Sequence, residues 1–173
     1  PSARYAELET TSNYTFLTGA SHPEELVQQA GVLGLEAVAI TDTNTLAGMV
    51  RAHAAAKDVG VRLVVGCRLL LADPAGLELL VYPTDRGGYA GLCRLLTLGK
   101  RRAEKGSCTL TLRDVAEHSG GLLCVAVPSL EPGDAFVASL RELRGIFDDD
   151  RLSLAAARRY GADEEERVER LRS

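Results

Sequence analysis

Three strand-like runs with two amphipathic segments between them, all within residues 4–65, constrain this chain more than any other feature of its sequence. Arg4 to Thr10 alternates weakly, Ala37-Val38-Ala39-Ile40 is continuously apolar, and Val61 to Val65 reads as a third buried strand. Short apolar runs of this kind belong to strands covered on both faces. Ser21 is placed to cap the first intervening helix, with Pro23 in its first turn and Glu24 at capping-box spacing. Leu26, Val27, Ala30 and Leu33 then keep a helical period, and Gly34 stops it. The second helix is expected from Leu46 to Asp58, ended by Gly60. Strand, helix, strand, helix, strand at this density means right-handed βαβ units and a parallel sheet or barrel.

The pattern changes after Gly66. Arg68 to Leu71 and Leu77 to Tyr82 flank Asp73-Pro74-Ala75-Gly76, which predicts a hairpin. Asp85 to Leu98 has a helical period, and Thr111 with Asp114 predicts a capping box opening a short helix to His118. A buried strand over Leu122 to Val127, a helix from Pro132 to Arg144, a strand from Arg151 to Ala155 and a charged helix from Asp163 complete the series. That makes five core strands plus the hairpin. A closed α/β barrel needs about seven or eight core strands, so the sheet is either open or unfinished here.

At 173 residues and 46% hydrophobic, the chain can bury a core without staples. No apolar run approaches the roughly 18 residues that span a bilayer, so no membrane partner is expected. Pro1 to Tyr5 lacks a basic-then-apolar leader, and the sequence reads as a piece of a longer protein. Cys67, Cys93, Cys108 and Cys124 form no C-x-x-C unit and are expected to be reduced, mostly buried side chains in a cytoplasmic protein. The net charge of −4 argues against a domain devoted to gripping nucleic acid. The one basic cluster, Lys100-Arg101-Arg102 with Lys105, reads first as charge complementing a helix C-terminus and second as a nucleic-acid contact.

In parallel α/β folds the chemistry sits at the carboxyl ends of the strands. Those ends supply Glu7 and Glu9, then Thr41-Asp42-Thr43, then Gly66-Cys67-Arg68. The carboxylates suit a hard metal ion and Arg68 suits a phosphate, but each also has an ordinary reading. Asp42 is a natural turn former, Glu7 and Glu9 share the wet side of a strand, and Arg68 is a natural salt-bridge partner. His22, His53 and His118 all fall on helices, away from the strand ends.

The stretch Tyr5-Ala6-Glu7-Leu8-Glu9-Thr10-Thr11-Ser12-Asn13-Tyr14-Thr15-Phe16-Leu17-Thr18-Gly19-Ala20-Ser21 resembles the opening of the polymerase and histidinol phosphatase (PHP) domain, which begins the alpha subunit of bacterial DNA polymerase III. The similarity continues through Ala37-Val38-Ala39-Ile40-Thr41-Asp42, Leu46-Ala47-Gly48-Met49-Val50 and Val64-Val65-Gly66-Cys67. Tyr82-Pro83-Thr84-Asp85-Arg86 and Leu92-Cys93-Arg94-Leu95-Leu96-Thr97-Leu98-Gly99-Lys100-Arg101-Arg102 resemble the error-prone, damage-induced branch. The resemblance implies that family's distorted (β/α) barrel over residues 1–173, incomplete here, with the family's final Asp-x-His motif beyond Ser173.

Metal-binding members carry H-x-H-S after the first strand, Asp-His after the second and a Glu following the Gly-Cys of the third. Here those positions hold Glu9 and Thr11, Asp42 and Thr43, and Arg68. Thr is a poor zinc ligand and a cation repels a metal, so the resemblance implies a degenerate pocket without a metal or catalytic residues. Arg68 is expected within salt-bridge reach of Glu9 or Asp42, in place of the metal. The alternative is a metal-dependent phosphoesterase or 3′-exonuclease in which Glu7, Glu9 and Asp42 hold magnesium or manganese. The resemblance further implies a parent nucleotidyltransferase, a DNA-directed DNA polymerase serving translesion synthesis, DNA repair and replication, with magnesium in a palm domain outside this chain. Implied partners are the rest of the polymerase chain, DNA through it, and a sliding clamp or accessory translesion proteins. An exposed apolar patch around residues 85–99 or 132–144 would support such docking.

Overall fold

The computed structural model describes residues 4–129, 132–156 and 168–169. Its strands form two sheets. The first is parallel, with β1 (Ala6–Thr10), β2 (Ala37–Ile40) and β3 (Arg62–Val65) in the order β1-β2-β3. The second contains β4 (Cys67–Leu70), β5 (Glu78–Pro83), β6 (Leu122–Val127) and β7 (Leu152–Leu154), in sequence order. Within it β5 runs against both neighbours while β6 and β7 are parallel, so β5 is its one reversed strand. The five core strands and the hairpin are therefore all present.

The helices are α1 (Pro23–Val32), α2 (Met49–Val59), α3 (Arg86–Arg102), α4 (Leu112–Glu117) and α5 (Asp134–Ile146). Three expectations are corrected at their boundaries. The cap of α1 is His22, whose backbone N–H donates to Glu25 at 2.8 Å. Ser21 instead belongs to the preceding loop, its carbonyl accepting the Asn13 amide at 2.9 Å. The second helix begins at Met49, because the Ala47 amide is held by the Thr45 hydroxyl in a turn ahead of it. β3 is only partly buried, since it is an edge strand of its sheet, as β1 is. The capping box of α4 is as predicted: Thr111 and Asp114 exchange hydrogen bonds in both directions. The charged helix expected from Asp163 lies outside the described residues apart from 168–169.

Burial explains why β2 shows no alternation. Val38 and Ile40 pack against Val27 and Ala30 of α1 and Met49, Ala52 and Ala56 of α2. Ala39 points the other way, into a small cluster with Leu80 and Tyr82 of β5. Both faces of the strand are covered, so both must be apolar. β5 behaves alike, with Leu79 and Val81 in the larger core beneath α3, α4 and α5, where Leu92, Leu95, Val115, Leu143 and Phe147 are buried.

The chain passes from one sheet to the other at Gly66. A side chain there would lie 2.8 Å from Thr41 Cγ2 and 2.8 Å from the Tyr82 ring, closer than any real contact, so glycine is required for the crossing. Tyr82 also ties the sheets together by donating its phenol O–H to the Leu8 carbonyl at 2.7 Å. Among the described residues no helix is long and apolar enough to cross a membrane.

Candidate functional site

The ends of β1 and β2 meet at Asp42, a carboxylate buried to 1% exposure. Its Oδ1 accepts the Ser12 backbone amide and the Thr15 hydroxyl, each at 2.8 Å, and its Oδ2 accepts the Ser12 hydroxyl at 2.6 Å. The 11–21 loop is rolled up so that these donors face the carboxylate. The Thr15 amide donates back to the Ser12 carbonyl, and Gly19 lies so close that a Cβ there would sit 2.0 Å from that oxygen. Thr15 Oγ1 also accepts the Thr43 amide at 2.9 Å, binding the two strand ends into one hydrogen-bonded knot. A buried carboxyl group is tolerated where its oxygens accept hydrogen bonds in this way.

Arg68 lies beside the knot. Its backbone amide donates to the Asp42 carbonyl at 3.2 Å, and it bridges in parallel to Thr43. Its guanidinium spans two carboxylates, pairing with Glu9 of β1 and with Glu78 of β5 at 2.5 Å. Burial pulls the guanidinium pKa down, but the hydrogen bonds and charges of Glu9 and Glu78 outweigh it and leave the pKa raised. The expected Arg68–Glu9 pair is present. Asp42, the other expected partner, is served by Ser12 and Thr15 instead.

Glu78, Ser12 and Thr15 are the residues that reading the strand ends missed. Glu78 was accessible from the hairpin register. Arg68 pairs with Leu80, so Glu78 lies two residues along β5 on the same face, a diagonal neighbour within reach of a long side chain. Ser12 carried one signal, the serine position of the H-x-H-S pattern, whereas Thr15 had none, because a loop's fold decides which of its hydroxyls turn inward.

The other positions do not assemble into a ligand set. Glu7 accepts the Tyr5 phenol at 2.9 Å and the Glu9 amide at 3.1 Å, which keeps it at the strand surface. Thr11 and Thr43 are half-buried hydroxyls. Among the described residues no three His, Cys, Asp or Glu side chains are grouped to hold a metal ion. Of the carboxylates that remain, Asp42 has both oxygens occupied by hydrogen bonds and Glu9 is paired with a cation.

Cys67 lies beneath the site, its thiol within 3.4 Å of the Asp42 carbonyl oxygen. Burial pushes that thiol up to about 12, with the nearby Asp42 charge adding to the effect, so it is no nucleophile. Burial also raises the Tyr82 phenol. His22 Nδ1 lies 2.8 Å from the side-chain amide nitrogen of Asn13, next to Ser12 in the loop, while His118 Nδ1 lies 2.9 Å from the Asp114 carbonyl oxygen at the end of α4.

Large exposed apolar side chains occur beside the site and on α1 and α2, where Val32 and Val50 are 81% and 80% exposed, more than on the helices at 85–99 and 132–144. Phe16 and Leu17, at the tip of the 11–21 loop, are 84% and 91% exposed. Among the described residues, α3 and α5 each expose one large apolar side chain, Tyr89 and Val137.

The sequence profile of the PHP domain matches residues 7–160. An error-prone DNA polymerase of Caulobacter vibrioides is 49% identical over 169 residues, 98% of this chain and 15% of that protein. One from Allorhizobium ampelinum is 49% identical over 90% of this chain and 14% of its own length. The chain thus spans about 15% of the length of the curated relatives it matches. Among solved structures, a protein described as a metal-dependent phosphoesterase from Bifidobacterium adolescentis superposes with a TM-score of 0.70 at 16% identity, covering 99% of this chain and 84% of the other. An amidohydrolase from Chromobacterium violaceum superposes at 0.69 with 13% identity, covering 97% and 81%.

Proposed function

The chain belongs to the PHP domain family, and on that premise we propose that it is a non-catalytic, metal-free PHP domain that serves as a structural and docking part of an error-prone DNA polymerase. The observation that carries this reading is Arg68. A cation stands where metal-binding members of the family have a carboxylate, and its two ion pairs take the place of the metal in neutralising the acids around it. Phe16 and Leu17 support docking, because an apolar pair held this far into solvent beside a rigid knot is suited to burial against the polymerase body. In this reading the whole of residues 1–173 is one domain, joined in the parent protein to a magnesium-dependent polymerase acting in translesion synthesis and DNA repair in the cytoplasm. DNA, a sliding clamp and accessory translesion proteins are then partners of that parent.

The deciding experiment measures metal content by elemental mass spectrometry after exposure to zinc, manganese and magnesium and desalting, together with a magnesium titration for weak binding. Well under one equivalent of each metal, with no hydrolysis of a 3′-labelled oligonucleotide in their presence, is expected. A stoichiometric ion or metal-dependent hydrolysis would overturn the proposal in favour of a phosphoesterase with altered ligands.

A further inference from the structure

Charge in this chain is strongly segregated. Residues 86–105 carry Arg86, Arg94, Lys100, Arg101, Arg102 and Lys105 against the single acid Glu104, whereas the rest of the chain holds 14 basic and 23 acidic residues. Nearly all of this positive charge is on α3 or just after it. Complementing a helix dipole accounts for little of it, because a helix C-terminus carries only about half an elementary charge. Arg102 is further accounted for by its ion pair with Asp114. Arg94, Lys100, Arg101 and Lys105 are exposed and have no ion-pair partner among the described residues. Four cations without ion-pair partners among the described residues, on one part of an acidic protein, repel one another, and a bound anion would relieve that repulsion.

They also line concave surface. On one flank of α3, Arg94, Thr97, Arg101 and His118 border a cleft of about 740 Å³. On the other, Lys100, Lys105 and Ser107 face Thr43, Thr45 and Tyr14 across a cleft of about 670 Å³. Each flank therefore combines cations with hydroxyl donors, the set that recognises phosphate oxygens. An aromatic ring lines the second cleft, where Tyr14 is 39% exposed. Lysines beside the exposed Tyr14 face suit a strand whose bases are free to stack, which a duplex does not offer.

We propose that the C-terminal half of α3, continued by Lys105, is a binding surface for the phosphate backbone of single-stranded nucleic acid. The inference is independent of metal content and of catalysis at the Asp42 site.

The test uses this chain with fluorescein-labelled oligo-dT, read by fluorescence anisotropy across a KCl titration. The four-site variant Arg94→Gln/Lys100→Gln/Arg101→Gln/Lys105→Gln is expected to bind at least about tenfold more weakly at low salt, with the slope of log K against log[KCl] reduced by about 2–3. A control of equal charge change, Lys57→Gln/Arg62→Gln/Arg141→Gln/Arg144→Gln, should retain both affinity and slope. If the four-site variant fails to fold, Arg94→Gln and Arg101→Gln singly should each weaken binding about threefold. Absence of binding at low salt, equal losses in the control, tighter binding of a duplex of the same length, or displacement by polyglutamate at equal charge would each overturn the proposal.

Discussion

Asp42 and Ser12 lie 30 residues apart and are joined twice, the serine giving both its backbone amide and its hydroxyl to the two oxygens of one buried carboxylate. The pair fastens the loop after β1 to the end of β2, and Thr15 completes it. Ser12→Ala removes one donor and is expected to cost about 1–2 kcal/mol, whereas Asp42→Ala strands three buried donors and should cost about 3 kcal/mol or more. Urea denaturation of the two variants checks the order. A smaller loss for Asp42→Ala than for Ser12→Ala would mean that the carboxylate is not the hub of the knot.

Arg68 links three strands that are not all neighbours, since Glu9 is on β1 and Glu78 on β5. Both carboxylates are 39% exposed, so solvent screening limits each pair to about 0.5–1 kcal/mol of coupling. Double-mutant cycles of Arg68→Met with Glu9→Gln and with Glu78→Gln should return couplings of that size, falling as salt is added. Couplings near zero in both cycles would show that Arg68 contributes to the site only through its backbone.

Asp114 provides the pH dependence. Burial opposes its charge, but hydrogen bonds from Arg102 and the Thr111 cap outweigh burial and hold the carboxyl below its usual value. A depressed folded-state pKa stabilises the fold above the unfolded-state value and loses that contribution as pH falls through the folded-state value. Asp114→Asn should therefore lower stability by about 0.5–2 kcal/mol at neutral pH, the size of a lost cap. The gap from wild type should close under strongly acidic conditions, below the ordinary aspartate range. A gap that persists there would place the effect in packing and not in charge.

The four cysteines divide by depth. Burial lifts Cys67 and Cys124 each to about 12, which leaves on the order of one thiolate in ten thousand at pH 8. Cys93 and Cys108 are only half-buried. A chromogenic disulfide reagent at pH 8 should therefore modify Cys93 and Cys108 in the native protein, and Cys67 and Cys124 only after denaturation. Peptide mapping of the labelled sites reads this directly, and early labelling of Cys67 would contradict a closed site.

Local sequence determined the elements and their order. The unalternating Ala37–Ile40 run, the Thr111–Asp114 cap and the Asp73–Gly76 turn each carry their signal within a few residues, because capping, turn geometry and two-sided burial are short-range constraints. The departures at Glu9, Thr11, Thr43 and Arg68 are visible only against the pattern of the family the sequence resembles. The Arg68–Glu9 pair followed from that alignment, since opposite charges at neighbouring strand ends have few other partners.

Tertiary structure decided the rest. Whether Asp42 faces a cation or a set of hydroxyls depends on how the 11–21 loop rolls, and that depends on the close approach of Gly19 to Ser12, which no periodicity encodes. Glu78 enters the site only through hairpin register, and β3 loses its expected burial because of its place in the sheet. The basic cluster at 100–105 was visible as charge, but its division between two clefts follows from the rotation of α3 on its neighbours. Sequence fixes what each segment prefers over a few residues. Which side chains meet across 30 or more residues is settled only when the strands and loops pack.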